Sequence, residues 1–228
     1  MWQNDRKMIC LLSEILVYIS DKNEWEYAMQ SIDSKILSRI YGSGRGSVFT
    51  PGRFLDLGSR NAVDKVLSRL VQKGAIRRLA RGLYDYPEHH PVMGILAPSP
   101  DAIARALAGQ GIRLQPSGAY AANRLGLSTQ VPARIVYLTD GPSRTVRVGN
   151  QEIRLQRTTP RSMGPAGRIS GLVIQALRHL GQKHVDDAVI QTLQRKLSDQ
   201  DKKRLIKDIA YAPAWVGKHL REIAQGEA

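Results

Sequence analysis

Arg60 and Asn61 open a stretch, Ser59–Lys73, whose residue types and spacing suit recognition rather than bond-making. Val63, Val66, Leu67, Leu70 and Val71 recur at the spacing of one buried helical face. The opposite edge carries Arg60, Asn61, Asp64, Lys65, Ser68 and Arg69. A guanidinium matches guanine O6 and N7, and a carboxamide matches adenine N6 and N7, so both suit a major-groove base edge. Arg60 and Asn61 fall in the first turn, the part of such a helix that points at bases. The bland alternative is a solvated amphipathic helix beside a basic turn, a common object.

A reading helix must be held by other elements, and the flanking sequence supplies candidates. Ile32, Ile36, Leu37 and Ile40 form a short apolar stripe ended by Gly42, Gly44 and Gly46. Val48-Phe49 is a brief extended stretch. Thr50 before Pro51 reads as an N-cap opening a short helix to about Leu57, whose N–H groups could hold a phosphate. Gly58 makes the turn, Ser59 caps the reading helix, and Gly74 sits at the C′ position. Ala75–Ala80 and Leu83–Tyr86 read as two strands around Arg81-Gly82. Arg77, Arg78 and Arg81 lie on or beside that hairpin. The order of elements is that of a winged helix-turn-helix, with Thr50, Ser59, Arg60, Asn61, Lys65, Ser68, Arg69, Arg77, Arg78 and Arg81 as candidate DNA contacts.

Charge supports this placement. The 228 residues carry 34 Lys and Arg against 20 Asp and Glu, a net of +14, which points to a polyanionic partner. Residues 45–86 hold nine basic and three acidic residues, about twice the charge density of the rest. The nine cations of residues 87–167 are all Arg, which leaves a second nucleic-acid surface, RNA included, as an alternative. Hydrophobic residues at 42% and charged residues at 24% fit a globular chain and exclude a disordered or collagen-like one. No run is long and apolar enough to span a membrane, and Cys10, the single cysteine, excludes an internal disulfide or a Cys-cluster zinc site.

The expected class is α+β: a winged helix over residues 29–86, a Pro-rich linker over 87–100, and a mixed α/β domain with C-terminal helices over 101–228. In the last part, Asp101–Ala108 and Ser117–Leu125 read as helices, Ile112–Gln115 and Arg134–Leu138 as strands, and residues 145–156 as a hairpin about Gly149-Asn150. Ile169–Leu180, Val185–Leu197, Gln200–Ala210 and Pro213–Ala224 read as helices, with Ser198 a cap. Residues 1–28 read as an amphipathic helical extension. Arg6 and Lys7 before an apolar run imitate a signal peptide, but Glu14 interrupts it and no small-residue cleavage site follows. Translation could also begin at Met29. A cytoplasmic location follows from this reading.

Several motifs invite chemistry that their context does not support. Gly42-Ser43-Gly44-Arg45-Gly46 lacks the preceding strand and following helix of a phosphate loop and reads as a connector. His89-His90 and the pair His179 and His184 lack metal-binding partners at workable spacing. Ser117 has no base to activate it and reads as a helix cap. Lys202, Lys203, Arg204 and Lys207 read as a solvated face, and Trp215 as a core anchor. No catalytic, cofactor or metal site is expected.

The run from Ser47 to Pro87, SVFTPGRFLDLGSRNAVDKVLSRLVQKGAIRRLARGLYDYP, resembles the winged-helix domain of the AbiEi antitoxins of type IV toxin–antitoxin and abortive-infection systems. The run from Gln115 to Arg144, QPSGAYAANRLGLSTQVPARIVYLTDGPSR, is similar to that family's second domain. Residues 1–28 lie outside the resemblance. It implies a bacterial repressor that binds inverted repeats in its own promoter; a target of that symmetry usually takes two copies related by a two-fold, which makes a homodimer on DNA one option. It also implies a second domain that opposes a nucleotidyltransferase-like toxin, for which a stable complex is not required. The family's contact positions fall on the outer face of Ser59–Arg69 and on Arg77–Arg81. A stand-alone regulator without a toxin is the alternative.

Overall fold

The computed structural model describes residues 31–225. The extension expected over residues 1–28 and the start at Met29 lie outside the described residues. The fold is mixed α+β.

The first helix, α1 (Ile32–Gly42), is capped by the Ser31 side chain and buries Ile36 and Ile40. A two-residue strand, β1 (Val48–Phe49), leads into the segment where sequence predicts a helix to Leu57. Only a four-residue 3₁₀ turn forms there, Pro51–Phe54, and the Thr50 side chain makes no capping bond. The helix α2 (Arg60–Gln72) starts where expected, with Ser59 Oγ accepting the Ala62 N–H at 3.4 Å. Gly74, with φ of +71°, ends it in the left-handed conformation that a side chain would oppose. The hairpin follows as β2 (Arg77–Ala80) and β3 (Leu83–Asp85), and β3 pairs with both β1 and β2 in a three-stranded antiparallel sheet.

Residues 87–100, expected as a connector, contain a small hairpin of β4 (His89–His90) and β5 (Gly94–Ile95). His90 Nδ1 accepts the backbone N–H groups of Val92 and Met93 at 3.2 Å, so this imidazole shapes a turn. Helix α3 (Pro100–Ala108) follows, then β6 (Leu114–Ser117) and the short α4 (Gly118–Arg124). Strands β7 (Arg134–Thr139), β8 (Arg144–Val148) and β9 (Gln151–Arg157) complete a four-stranded sheet in the order β6-β7-β9-β8. Within it β7 and β9 run parallel, and the other pairs are antiparallel. Four helices close the chain: α5 (Ile169–Leu180), α6 (Asp187–Lys196), α7 (Asp199–Lys207) and α8 (Ala214–Gln225). Ser198 forms a capping box with Asp201 at the start of α7.

Three cores hold these elements. One joins α1, α2 and one face of the first sheet through Phe49, Phe54, Val63, Leu67 and Tyr84. The second joins α4 and the C-terminal helices, with Trp215 packed against it. The third crosses the expected linker, because Val48 and Leu83 of the first sheet pack with Ile103, Leu107, Tyr137, Ile153 and Leu155. The first sheet is thus buried on both faces, and residues 31–86 share a core with the rest.

Polar groups pin the joints. Asp101 accepts hydrogen bonds from Tyr137 Oη at 2.7 Å and Tyr120 Oη at 3.2 Å, tying α3 to β7 and α4. Burial and this carboxylate push the Tyr137 hydroxyl far above its ordinary range, so it stays a donor. Ser117, expected as a cap, instead donates to Gln175 Oε1 on α5 at 3.1 Å. On the same helix, a Cβ added at Gly171 would lie 2.4 Å from Gln115 Oε1 and 2.5 Å from the Pro165 carbonyl oxygen. Gly171→Ala is therefore expected to lower stability by about 1–3 kcal/mol through overpacking. Urea unfolding measures it, and a change below about 0.5 kcal/mol, the range of neutral surface substitutions, would show that the close approach is not real.

Candidate nucleic-acid interface

The face of α2 opposite its buried stripe is open. Ser59, Arg60, Asn61, Lys65, Ser68 and Arg69 are all exposed, whereas Val63, Val66, Leu67 and Leu70 are buried. The alternation that predicts the helix thus also places its polar edge outward. Asn61, Asp64, Lys65, Ser68, Arg69 and Gln72 line a shallow groove of about 490 Å³ along that edge.

Two of its cations already hold carboxylates. Arg60 Nε donates to Asp64 at 2.9 Å, and Arg69 donates to both oxygens of Asp33 at 2.7 Å. Both pairs are about half exposed. Exposed pairs of this kind contribute about 0–1 kcal/mol and are screened by salt, so a phosphate or base edge can displace them. Asn61, Lys65 and Ser68 have no hydrogen-bond partner among the described residues.

The hairpin divides the three arginines expected to act together. Arg78 and Arg81 are exposed and have no partner among the described residues. Arg77 is turned the other way. Its Nε and Nη2 donate to the two oxygens of Asp85 at 3.1 and 2.5 Å, and Nη2 also reaches the Leu96 carbonyl at 2.8 Å. Asp85 is only 1% exposed. The expectation that Arg77 contacts DNA is thus corrected: opposite Asp85 in the β2–β3 register, it neutralises a buried carboxylate.

Thr50 is corrected as well. The four-residue turn that follows it is too short to present a helix N-terminus to a phosphate, and the Thr50 carbonyl already accepts the Arg53 N–H at 3.1 Å. Thr50 is half-buried and lines a cleft against α3.

A family model, DUF6088, described as a family of unknown function, matches residues 35–205. The chain belongs to DUF6088. The matched span begins within α1 and ends within α7, so it contains α2, both sheets and the cleft beside Thr50. No curated protein matches the chain. No helix among the described residues of this DUF6088 protein is long and apolar enough to cross a membrane, and no three His, Cys, Asp or Glu side chains among them gather as a metal set.

A further group of arginines escapes sequence reasoning because distant segments supply it. Arg45, Arg53, Arg105 and Arg144 line the same cleft from four separate stretches of chain, and no local periodicity joins them. Arg39, also on its wall, is neutralised by a two-toothed pair with Asp56 at 2.7 and 2.8 Å, which holds the Asp56 carboxyl below its usual range.

The contrast within the hairpin is measurable. Arg77→Ala leaves Asp85 buried without its partner and is expected to cost about 3 kcal/mol in urea unfolding. Asp85→Asn in the same chain should recover part of that loss. Arg78→Ala should change stability by less than about 0.5 kcal/mol. Equal effects of the two arginine substitutions would contradict the assignment.

Proposed function

We propose that residues 31–86 form a winged helix-turn-helix and that this protein is a sequence-selective binder of duplex DNA acting as a transcriptional repressor. The observation that carries the reading is the exposed edge of α2, with Arg60 and Asn61 in its first turn and a buried opposite face. In this reading Arg60 and Asn61 meet base edges, while Ser59, Lys65, Ser68 and Arg69 contact the backbone. Arg78 and Arg81 at the hairpin grip the flanking phosphates, and the net +14 of the chain draws the duplex in. Two copies on an inverted repeat would pair two reading helices across a two-fold axis. Such a role places the protein in the cytoplasm with the chromosome.

With Arg77 excluded, Lys65, Arg69, Arg78 and Arg81 remain to meet phosphates, so log K should fall with log salt at a slope of about −3 to −4. Arg60→Ala should cost about 1–3 kcal/mol and relax preference at one base pair. Arg81→Ala should weaken all duplexes alike and reduce the salt slope by about 1. Fluorescence anisotropy on selected and scrambled duplexes measures all three. Equal loss on both duplexes for Arg60→Ala would remove its base-reading role.

We further propose, on the resemblance to the AbiEi antitoxins, that the chain opposes a nucleotidyltransferase-like toxin while repressing its own operon. Co-expression of the full chain with such a toxin encoded beside it should restore growth. An Arg60→Ala/Asn61→Ala variant should restore it too, because antitoxicity would reside outside α2. Failure of the unsubstituted chain to restore growth would withdraw the antitoxin role and leave the DNA reading intact.

A further inference from the structure

A cleft of about 1300 Å³ lies between the first sheet's unit and α3. One wall comes from the glycine-rich connector and the 3₁₀ turn, the other from Leu96–Gln110 with Arg144 at the start of β8. Its charge is uncompensated. Arg45 donates to the Pro87 carbonyl at 3.1 Å and lies 4.9 Å from the centre of the Tyr86 ring. Arg53 donates to the Ser43 hydroxyl at 2.9 Å, and Arg144 to the Leu107 carbonyl at 2.9 Å. Neutral acceptors thus orient three guanidiniums without cancelling them, and Arg105 has no partner among the described residues. Asp56 and Asp85, also on the lining, are neutralised by Arg39 and Arg77, which leaves Glu88 alone against four arginines.

Ser47 also belongs to the lining, and its hydroxyl, with almost no exposed surface, is among the described residues the one buried side-chain atom without a hydrogen-bond partner. The connector does not act as a backbone phosphate loop, since the Gly44 and Gly46 N–H groups already bond the Tyr41 and Tyr86 carbonyls. What it does is set Arg45 and Ser47 on one wall.

We propose that this cleft binds a phosphorylated small molecule carrying two or three phosphates. Four guanidiniums against one carboxylate match that charge, and concave walls concentrate the field on it. Ala97, Pro98, Ala102 and Ala106 offer an apolar wall to the rest of the ligand. A duplex about 20 Å wide does not enter a space of this size, so a small ligand fits better than nucleic acid. Such a ligand touches residues on both sides of the shared core and is independent of the DNA reading.

Isothermal titration of the full chain with tripolyphosphate, ADP and ATP tests this. At least one of them is expected to bind at one site per chain, tighter than inorganic phosphate. Preference for ADP or ATP over tripolyphosphate would identify a nucleotide, and equal binding a bare polyphosphate. Arg105→Glu, at an exposed residue with no bond to lose, should weaken binding by about thirtyfold or more. Arg78→Ala/Arg81→Ala, which lowers net charge by the same amount as Arg105→Glu, should leave it unchanged. Absence of binding by all three ligands would overturn the proposal, as would binding that survives Arg105→Glu. Loss of duplex affinity in Arg105→Glu without small-ligand binding would also overturn it, assigning the cleft to nucleic acid. The small-ligand titrations contain no DNA, so their failure and that of the DNA reading are distinguishable.

Discussion

Two successive residues, Leu83 and Tyr84, carry the mechanical constraint on which the molecule depends. In a strand they point to opposite faces, and here each face is a different core. Tyr84 stacks with Phe49 at 6.3 Å above the helices α1 and α2, whereas Leu83 packs below with Ile103, Tyr137 and Leu155. A one-residue slip of β3 would exchange them and empty both cores at once. The Arg77–Asp85 pair locks the same register from the neighbouring strand, and its bond to the Leu96 carbonyl extends the lock past the second hairpin. The edge of α2 is therefore held at a fixed attitude to the second sheet rather than on a flexible tether.

That fixed placement is what the proposed DNA reading asks of an otherwise ordinary amphipathic helix. Base recognition depends on placing two donors against two acceptors, which a loosely held helix cannot do reproducibly. The apolar stripe of α2 supplies the attachment, and the polar edge stays exposed, touching α1 only through the half-exposed Arg69–Asp33 pair. The shared core also makes the cleft a joint rather than a gap, since its walls come from both sides of the first sheet. A ligand there would press on the same sheet that carries α2.

Much of this was legible in the sequence, and the failures have physical causes. The bounds of α2, the hairpin around Arg81-Gly82 and α5 follow from periodicity, caps and turn residues, all of them local. The helix expected after Thr50 shrinks to a 3₁₀ turn because Pro51 and Phe54 are drawn into the core over a span too short for an α-helix. Arg77 looks like its neighbours Arg78 and Arg81 in one dimension, and only the pairing of β2 with β3 sets it opposite a buried carboxylate. The shared core and the arginine cleft depend on contacts between residues far apart in the chain, which no window of sequence contains. The same holds for Ser117, whose hydroxyl finds Gln175 on α5 rather than its own helix.

The claim that α2 reads a duplex is tested most directly by selecting bound sequences from a randomised double-stranded pool with the full chain, and again with Asn61→Ser. The account expects a defined motif to emerge, with the variant losing preference at an adenine-containing pair while the other positions persist. A pool that emerges without any motif, or a motif indifferent to residue 61 and to every other position on the exposed edge of α2, would contradict it.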